Sequence, residues 1–450
     1  MSLINAFIKK LSRLWLPARN SIAFRCVRLG QGRTVRQLLR PERPKNSANL
    51  VVYDPLFTPF YQGHSYQLLI FFHTLAHAID HAMAYIGPVE LSPRRSKTFL
   101  SKYPYIHGSA LICGYQILCD SFSLSQTQRV GRTIQQDLEG IFPHNQPNCL
   151  CLPNATPWMV HGLLLWIRSL PASKRPRVII GLLIWDRWIE RDSDGEIARQ
   201  LSKDLRRLDE QTTLEIYVET KHTQQMLKTL CPLVSIHRLP YLAATRAIRS
   251  DQRANNQTIS SPVCGLMGRF GVASTSNQEV IAAITDHSNA QIRWIIQTDS
   301  KTHSSISSQS NVHWLGNNIS DHKYYNAFGT LSCVVMVFPS GTYEWDGSGI
   351  FYEAVLGRKI LILPAGCRLL EELNGIGYPA ITYERTQPGS LSRAVQSAIS
   401  QHDILLRKAQ EAPIPAALAD SPKRLAELIT SADELTTKNP TRPTRPQANL

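Results

Sequence analysis

Short apolar runs rich in β-branched residues alternate along this chain with segments whose apolar residues recur at helical spacing. Runs of the first kind are typical of buried strands, and segments of the second kind are typical of amphipathic helices. Strands separated by helices pair in parallel, so the pattern predicts doubly wound α/β sheets. The predicted strands are Leu50–Tyr53, Ala110–Cys113, Cys149–Leu152, Val178–Trp185, Leu214–Val218, Val234–His237, Val263–Met267, Gln291–Gln297, Val312–Leu315, Cys333–Phe338 and Lys359–Pro364. A long helix is predicted from about Ser65 to Tyr85.

The alternation is interrupted once, by a polar interval without a core pattern, and this interval predicts a linker between two domains. The predicted division is a basic N-terminal segment, a first domain, the linker, a second domain, and a C-terminal helix with a disordered tail. Their ranges are 1–47, 48–243, 244–261, 262–410 and 411–450.

The most informative stretch is a βαβ unit in the second half, from the run at Cys333 to the run that ends at Pro364. Its helix opens at Ser348-Gly349 and carries Glu353 one turn later. Ligands of such units lie beyond the carboxyl ends of the strands, where free N–H groups of a helix N-terminus bind anions. A phosphate at the N–H groups and a carboxylate for ribose hydroxyls suit a nucleotide. The alternative is an ordinary α/β sheet whose helix carries a surface acid.

The order strand, Pro-Ser, acid, Ser-Gly, helix with Glu-Ala, Gly and strand resembles the donor domain of GT-B glycosyltransferases. It is most similar to the large retaining family that includes sucrose synthases and bacterial polysaccharide mannosyltransferases. The resemblance implies two Rossmann-like doubly wound domains facing a cleft, a nucleotide-diphosphate sugar as co-substrate, and no cofactor. It assigns Ser348, Gly349 and Glu353 to donor binding.

The resemblance also implies an acid near the transferred sugar, and in the family this acid is usually separated from the ribose acid by seven residues. Here eight residues lie between Glu344 and Glu353, and six lie between Asp346 and Glu353, so the first acid is either of the two or neither. An extra residue is most easily absorbed beside Gly347, which favours Glu344 as the catalytic acid.

Two further positions follow from the resemblance. The loop Gly63-His64 before the first long helix is similar to the loop under the donor phosphates, which makes Gly63 a donor-binding residue and His64 a catalytic candidate. His64 as a helix cap is the alternative. Arg269, at the end of the strand from Val263, corresponds to a diphosphate-binding arginine, but residues 271–278 lack the lysine that usually follows it.

The formal net charge of +15 is concentrated at the front of the chain, where residues 1–45 hold eleven Lys and Arg against one Glu. Residues 3–15 form an amphipathic basic pattern, which predicts a helix in residues 1–20 that either packs on the protein itself or binds an anionic membrane surface. Nucleic acid is the least favoured partner. No apolar run is long enough to span a bilayer, and we expect a cytoplasmic protein, peripheral on the inner face of the membrane if the anchor operates.

No metal site is predicted. Cys149-Leu150-Cys151 lacks a second ligand pair, and nine cysteines without regular spacing indicate free thiols in a reducing compartment. Asp192-Ser193-Asp194 superficially matches an Asp-x-Asp metal motif, but Ser193–Glu196 is interpreted as a capping box at the start of a helix.

These features favour a glycosyltransferase of bacterial polysaccharide synthesis that acts on a saccharide or lipid-linked saccharide acceptor, with a retaining outcome implied by the resemblance alone. Two alternatives remain: a nucleotide-sugar epimerase or hydrolase on the same fold, and a degenerate transferase that serves as an assembly scaffold. The lysine missing after Arg269 is the best argument for the scaffold.

Overall fold

A computed structural model of the chain describes residues 29, 31, 33–34, 37, 48–55, 64–78, 82–88, 106–111, 123–144, 146–182, 192, 194–240, 262–270, 276–287, 292–298, 311–316, 319–338, 348–374 and 376–438. The predicted membrane-binding segment 1–20, the linker 244–261, and the site candidates Gly63, Glu344 and Asp346 lie outside these residues.

The first half of the chain forms a seven-stranded sheet in the order β3-β2-β1-β4-β5-β6-β7, and every strand pair in it is parallel. The strands are β1 (Leu50–Tyr53), β2 (Met83–Pro88), β3 (Ile106–Ala110), β4 (Cys149–Leu152), β5 (Arg177–Gly181), β6 (Leu214–Val218) and β7 (Ile236–Arg238). Because the order reverses direction between β1 and β4, a crevice opens at the carboxyl ends of these two strands.

Helices cover both faces of this sheet, so central strands such as β4 are buried on both sides and consist of apolar residues only. The helices are α1 (His64–Ala78), α2 (Leu124–Ile141), α3 (Pro157–Ser169), α4 (Glu196–Gln211) and α5 (Lys221–Leu230), with a 3-10 turn at Ala172–Lys174. Helices α2 and α3 approach closely at two glycines. A Cβ on Gly162 would lie 2.3 Å from the carbonyl oxygen of Gly131, so a side chain there would force the helices apart.

The second half repeats the arrangement with a six-stranded parallel sheet in the order β10-β9-β8-β11-β12-β13. Its strands are β8 (Val263–Phe270), β9 (Arg293–Thr298), β10 (Val312–Gly316), β11 (Cys333–Val335), β12 (Ile360–Pro364) and β13 (Ala380–Tyr383). Here the order reverses between β8 and β11, which places the second crevice at the carboxyl ends of those strands.

The helices of the second half are α6 (Ser276–Asp286), α7 (Asp321–Gly329), α8 (Gly349–Leu356), α9 (Ser390–Ser400), α10 (His402–Glu411), α11 (Ala416–Ala419) and α12 (Ser421–Lys438), with a 3-10 helix at Arg368–Leu373. Helices α7 and α8 pack on one face of the second sheet, and α6 and α9 pack on the other.

Helix α12 leaves the second sheet and packs on the first. Its Leu425 and Ile429 are buried in the same apolar cluster as Leu50 and Val52 of β1. The Ser421 hydroxyl donates to the carbonyl oxygen of Pro240, at 2.9 Å, which fixes the start of the helix beside the end of the first sheet. Burying two such side chains contributes roughly 1.5–3 kcal/mol each, so the C-terminal helix ties the two halves together.

Two sequence predictions about elements were wrong in part, and one strand was missed. The helix predicted to reach Tyr85 ends at Ala78, and Met83–Pro88 is strand β2. The strand predicted at Ala110–Cys113 lies earlier, at Ile106–Ala110, and β13 was not predicted. A short apolar run surrounded by core has the same hydrophobic pattern in a helix and in a strand, and therefore periodicity could not separate the two.

Candidate functional site

The carboxyl edge of the second sheet carries most of the predicted donor-site residues that the structure describes. Arg269 is the last residue but one of β8. The structure describes its backbone but not its side chain. Strand β11 continues into the buried residues Met336–Phe338, and after the loop 339–347 the chain enters α8 at Gly349. The end of β8 and the start of α8 therefore flank the crevice between β8 and β11.

Ser348 is the N-cap residue of α8. Its hydroxyl accepts a hydrogen bond from the backbone N–H of Phe351, at 3.4 Å, and the residue is buried. The preceding N–H groups, of Gly349 and Ile350, have no partner within the helix because the first turn lacks acceptors. These two N–H groups, and not the Ser348 hydroxyl, are the donors that the helix start can offer to an anion.

Glu353 lies in the middle of α8 and is only 2% exposed. Its Oε2 accepts a hydrogen bond from the Tyr324 hydroxyl at 2.8 Å, and its Oε1 accepts one from the Tyr325 hydroxyl at 3.2 Å. Burial raises the pKa of Tyr324 well above its usual value, and the charge of Glu353 adds to that rise. Tyr324 therefore donates to the carboxylate in its neutral form, and the two hydroxyls together hold the carboxylate in place within the core of the second domain.

Sequence reasoning did not find the contact of Tyr324 and Tyr325 with Glu353. The sequence feature that could have indicated this contact is a pair of adjacent tyrosines on the helix that precedes β11.

The remaining site predictions are described only in part. His64 is the first residue of α1, and its side chain lies outside the described residues, as do Gly63 and Glu344 altogether. The structure thus places Ser348 and Gly349 at the start of α8 and Glu353 within it, while Arg269 lies near the end of β8.

A buried acid that sequence reasoning did not single out lies at the corresponding crevice of the first sheet. Asp54 follows β1 directly and is fully buried. Its Oδ2 accepts a hydrogen bond from the Tyr85 hydroxyl at 2.7 Å, and Asn154, after β4, approaches both of its oxygens at 3.5 Å. Burial raises the pKa of Tyr85, and the Asp54 charge contributes to the rise. Asp54 thus ties together three neighbouring strands at their carboxyl ends.

The capping box predicted at Ser193–Glu196 is replaced by a different cap. Helix α4 begins after Gly195, whose φ of 66° is in the left-handed region, and the Asp192 carboxylate accepts from the N–H of Ala198 at 2.8 Å. Asp192 therefore serves the helix start. Within the described residues, no group of three or more His, Cys, Asp or Glu side chains is placed to hold a metal ion. None of the described helices is both long and apolar enough to cross a membrane.

Comparison with known proteins gives no match at the sequence level: no protein-family model and no curated protein matches this chain. Solved structures do match it in fold. An Anabaena protein, Alr3699/HepE, solved in complex with UDP-glucose, is 11% identical with a TM-score of 0.50, covering 87% of this chain and 100% of its own.

Two further structures give similar values. The UDP-GlcNAc 2-epimerase from Neisseria meningitidis, bound to UDP-GlcNAc, is 11% identical with a TM-score of 0.53, and the alignment covers 85% of this chain and 99% of that one. A glycosyltransferase from Rickettsia africae is 11% identical with a TM-score of 0.51, over 86% and 99% of the two chains. At these identities the likeness concerns the fold. Together with the two parallel sheets and their strand orders, it shows that the chain has the GT-B fold, with two Rossmann-like doubly wound domains facing a cleft.

Proposed function

We propose that this protein is a glycosyltransferase that moves a sugar from a nucleotide-diphosphate donor to a saccharide or lipid-linked saccharide acceptor in polysaccharide synthesis. The observation that carries the proposal is the start of α8, where the N–H groups of Gly349 and Ile350 lie beyond the carboxyl edge of the second sheet, with Glu353 one turn further along. An Anabaena protein of the same fold was solved with UDP-glucose, which supports a nucleotide sugar as the ligand.

The chemistry requires that the diphosphate leave the anomeric carbon of the sugar with its negative charge stabilised. Arg269 and the free N–H groups at the start of α8 supply that stabilisation in this proposal, because preorganised donors aimed at developing charge lower the barrier most. Glu353 accepts hydrogen bonds from the ribose hydroxyls, and Glu344 positions the transferred sugar. The retaining outcome rests on the resemblance to the sucrose synthase and mannosyltransferase family.

The acceptor side of the proposal concerns the first domain and the N-terminal segment. Residues 1–20 bring the enzyme to an anionic membrane surface, where a lipid-linked acceptor lies within reach. In this proposal Gly63 contributes to donor binding and His64 to catalysis.

A nucleotide-sugar epimerase is the second candidate, because the Neisseria meningitidis UDP-GlcNAc 2-epimerase has the same fold. The two functions differ in what they require. A transferase releases free nucleoside diphosphate only when an acceptor is present, whereas an epimerase converts one nucleotide sugar into another without an acceptor.

The experiment that tests the proposal incubates the full chain with UDP-, GDP-, ADP- and dTDP-sugars, with and without oligosaccharide acceptors, and follows the products by mass spectrometry. We expect release of the nucleoside diphosphate that depends on acceptor, together with an extended saccharide. Conversion of a nucleotide sugar without acceptor would favour the epimerase. Absence of binding to all four nucleotides would favour a scaffold without catalytic activity.

The loop before α8 offers a matched pair of variants for the same assay. We expect Glu344→Gln to lower kcat by about a hundredfold with little change in donor Kd, because a group acting on the transferring sugar stabilises the transition state more than the ground state. Asp346→Asn, in the same loop, should leave both constants near their original values. A large rate loss in the Asp346 variant alone would assign the role to Asp346.

A further inference from the structure

Arg385 lies at the carboxyl edge of the second sheet, two residues beyond the end of β13. Its Cζ lies 5.1 Å from the centroid of the Phe338 ring, so the guanidinium reaches back from β13 to the end of β11. Phe338 is the last described residue before Ser348, the N-cap residue of α8. The charge of Arg385 is therefore held beside the chain segment that opens into the proposed donor site.

Arg385 has no hydrogen-bonded or ion-paired anion among the described residues, although the charge of Glu279 also acts on its neighbour Tyr383. In the part of the chain that the structure describes, its buried Nε has no hydrogen-bond acceptor, and no carboxylate forms an ion pair with it. Two other arginines with a buried Nε differ in this respect, because Arg177 is paired with Glu215 and Arg238 is paired with Glu372. A partly buried cation without an anionic partner is costly unless a ligand supplies the anion.

The described side chains next to Arg385 hold its guanidinium in place but supply no anion. The Tyr383 hydroxyl donates to the carbonyl oxygen of Met336 at 3.1 Å, which ties β13 to the end of β11. Burial raises the pKa of Tyr383, and the charge of Arg385 opposes the rise, so this tyrosine stays neutral and offers no negative charge. The guanidinium lies over the Phe338 ring in a cation–π contact, which attracts its charge but supplies no anion.

The proposed donor site also needs more positive charge than its assigned residues supply. A nucleotide diphosphate is strongly anionic, and Arg269 is followed by no lysine within residues 271–278. A guanidinium binds phosphate or carboxylate oxygens through two parallel N–H bonds, which a backbone N–H pair does not replace.

We propose that Arg385 is an anion-binding residue of the substrate site and that it holds either a phosphate of the donor diphosphate or a carboxylate of an acidic sugar. This proposal rests on the proposed function, since it takes a nucleotide sugar as the ligand. It assigns substrate contact to a residue that no sequence motif indicated. Arg385 follows the edge strand β13, whereas Arg269 lies on β8.

The test measures binding of UDP, GDP, ADP and dTDP to the wild type by calorimetry and continues with the tightest ligand. If the bound anion is a phosphate, Arg385→Met should weaken that diphosphate by about tenfold or more, because a charge-assisted hydrogen bond is lost, and should leave the corresponding nucleoside unaffected. Arg393→Met removes the same charge from an exposed position on α9, and it should bind like the wild type.

A second arm separates the two anions. If Arg385→Met weakens a nucleotide linked to glucuronate but not the same nucleotide linked to glucose, the sugar carboxylate is the ligand. If both are weakened together with the free diphosphate, the ligand is a phosphate. Unchanged binding of all of these ligands would overturn the assignment of Arg385.

The melting temperature of each variant is measured as a control for loss of stability. Should Arg385→Met fail to fold, Arg385→Lys keeps the charge and the aliphatic stem but loses the two parallel N–H bonds, and it should bind at least threefold more weakly. Equal affinity of the lysine variant and the wild type would then overturn the proposal. Failure of the wild type to bind any of the four diphosphates would instead overturn the proposed function, and this inference with it.

Discussion

Glu353 has two roles, one in ligand binding and one in stability, and variants of its tyrosine partners can separate them. The carboxylate is proposed to bind the ribose of the donor, and it also accepts hydrogen bonds from Tyr324 and Tyr325 within the core. A buried carboxylate needs such donors, because taking its charge out of water without them costs far more than a folded domain can supply. Removing it would deprive both hydroxyls of this acceptor, at a cost of roughly 1–3 kcal/mol for each.

We therefore expect Glu353→Ala to lower both the melting temperature and the affinity for the nucleoside diphosphate, the latter by about tenfold. Adding Tyr324→Phe and Tyr325→Phe to this variant removes the two hydroxyls that lost their acceptor. The combined variant should regain part of the melting temperature but none of the affinity. Thermal unfolding and calorimetry on the same samples decide the matter, and affinity that recovers in step with stability would reduce Glu353 to a structural residue.

Among single residues, the sequence predicted Ser348, Gly349 and Glu353 on one helix because their spacing is local. The backbone N–H groups of Ser348 and Gly349 were expected at the phosphate, and the use of the Ser348 hydroxyl as an N-cap for Phe351 follows from the actual start of α8. The tyrosine partners of Glu353 come from α7, which precedes β11 in the chain, whereas Glu353 lies on α8, which follows it. Their contact therefore required the packing of two helices.

Three neighbouring strands of the first sheet, β5, β6 and β7, are joined by a cluster of polar side chains. Glu215 on β6 accepts from the His237 ring on β7 at 2.8 Å, and its other oxygen lies 3.5 Å from Arg177 on β5. Burial alone would raise the pKa of Glu215, but the hydrogen bond and charge of His237, with the charge of Arg177, outweigh it and lower the pKa below its usual 4.5. One carboxylate thus bridges three strands.

This lowered pKa predicts how stability depends on pH. Because the folded-state pKa lies below the unfolded one, the contribution of Glu215 is fully present above about pH 4.5 and is lost as the pH falls through the folded value. Glu215→Gln should lower the melting temperature at pH 7 by roughly 1–3 °C, and the difference should shrink on acidification. The exposed Glu210→Gln is the control. A difference that is constant from pH 7 to pH 3 would contradict this interpretation.

Elements were predicted well where an apolar run stands between polar segments and poorly where it does not. The strands β1, β4 and β6 were predicted with the bounds that the structure has. In contrast, β2 follows α1 after a few residues, and the pattern of residues 65–85 is apolar enough to continue the helix. Its identity as a strand depends on pairing with β1 on one side and β3 on the other.

At the scale of the whole molecule, the two domains meet through the 3-10 helix Arg368–Leu373. Glu372 accepts from the backbone N–H of Lys221 at 3.0 Å, at the start of α5, and pairs with Arg238 at the end of β7. Arg368 contacts the ring nitrogen of His222 at 3.2 Å. The Tyr352 hydroxyl, next to Glu353 on the proposed donor helix, donates to the carbonyl oxygen of Glu219 at 3.4 Å. The donor helix is therefore coupled directly to the first domain.

We expect Glu372→Ala to loosen this contact without unfolding either sheet, because it removes a charged acceptor from both Lys221 and Arg238. Amide hydrogen exchange at Lys221–Thr223 should become on the order of tenfold faster, while exchange in β4 and β11 stays the same. The neighbouring Glu371, half exposed at its side chain, provides the matched control Glu371→Ala. Equal exchange at the start of α5 in both variants would show that Glu372 does not hold the domains together.

The sequence by itself determined the alternation of strands and helices, the parallel doubly wound sheets, and the helix start that is the centre of the proposed site. These properties follow from apolar periodicity and caps, which involve residues within a few positions of one another. The tertiary structure alone decided the tyrosine donors of Glu353, the contact of Arg385 with Phe338, the contact of Glu372 across 151 positions of chain, and the return of α12 to the first sheet. Each of these joins residues that become neighbours only when strand order and helix packing are set, and a linear pattern carries no record of that order.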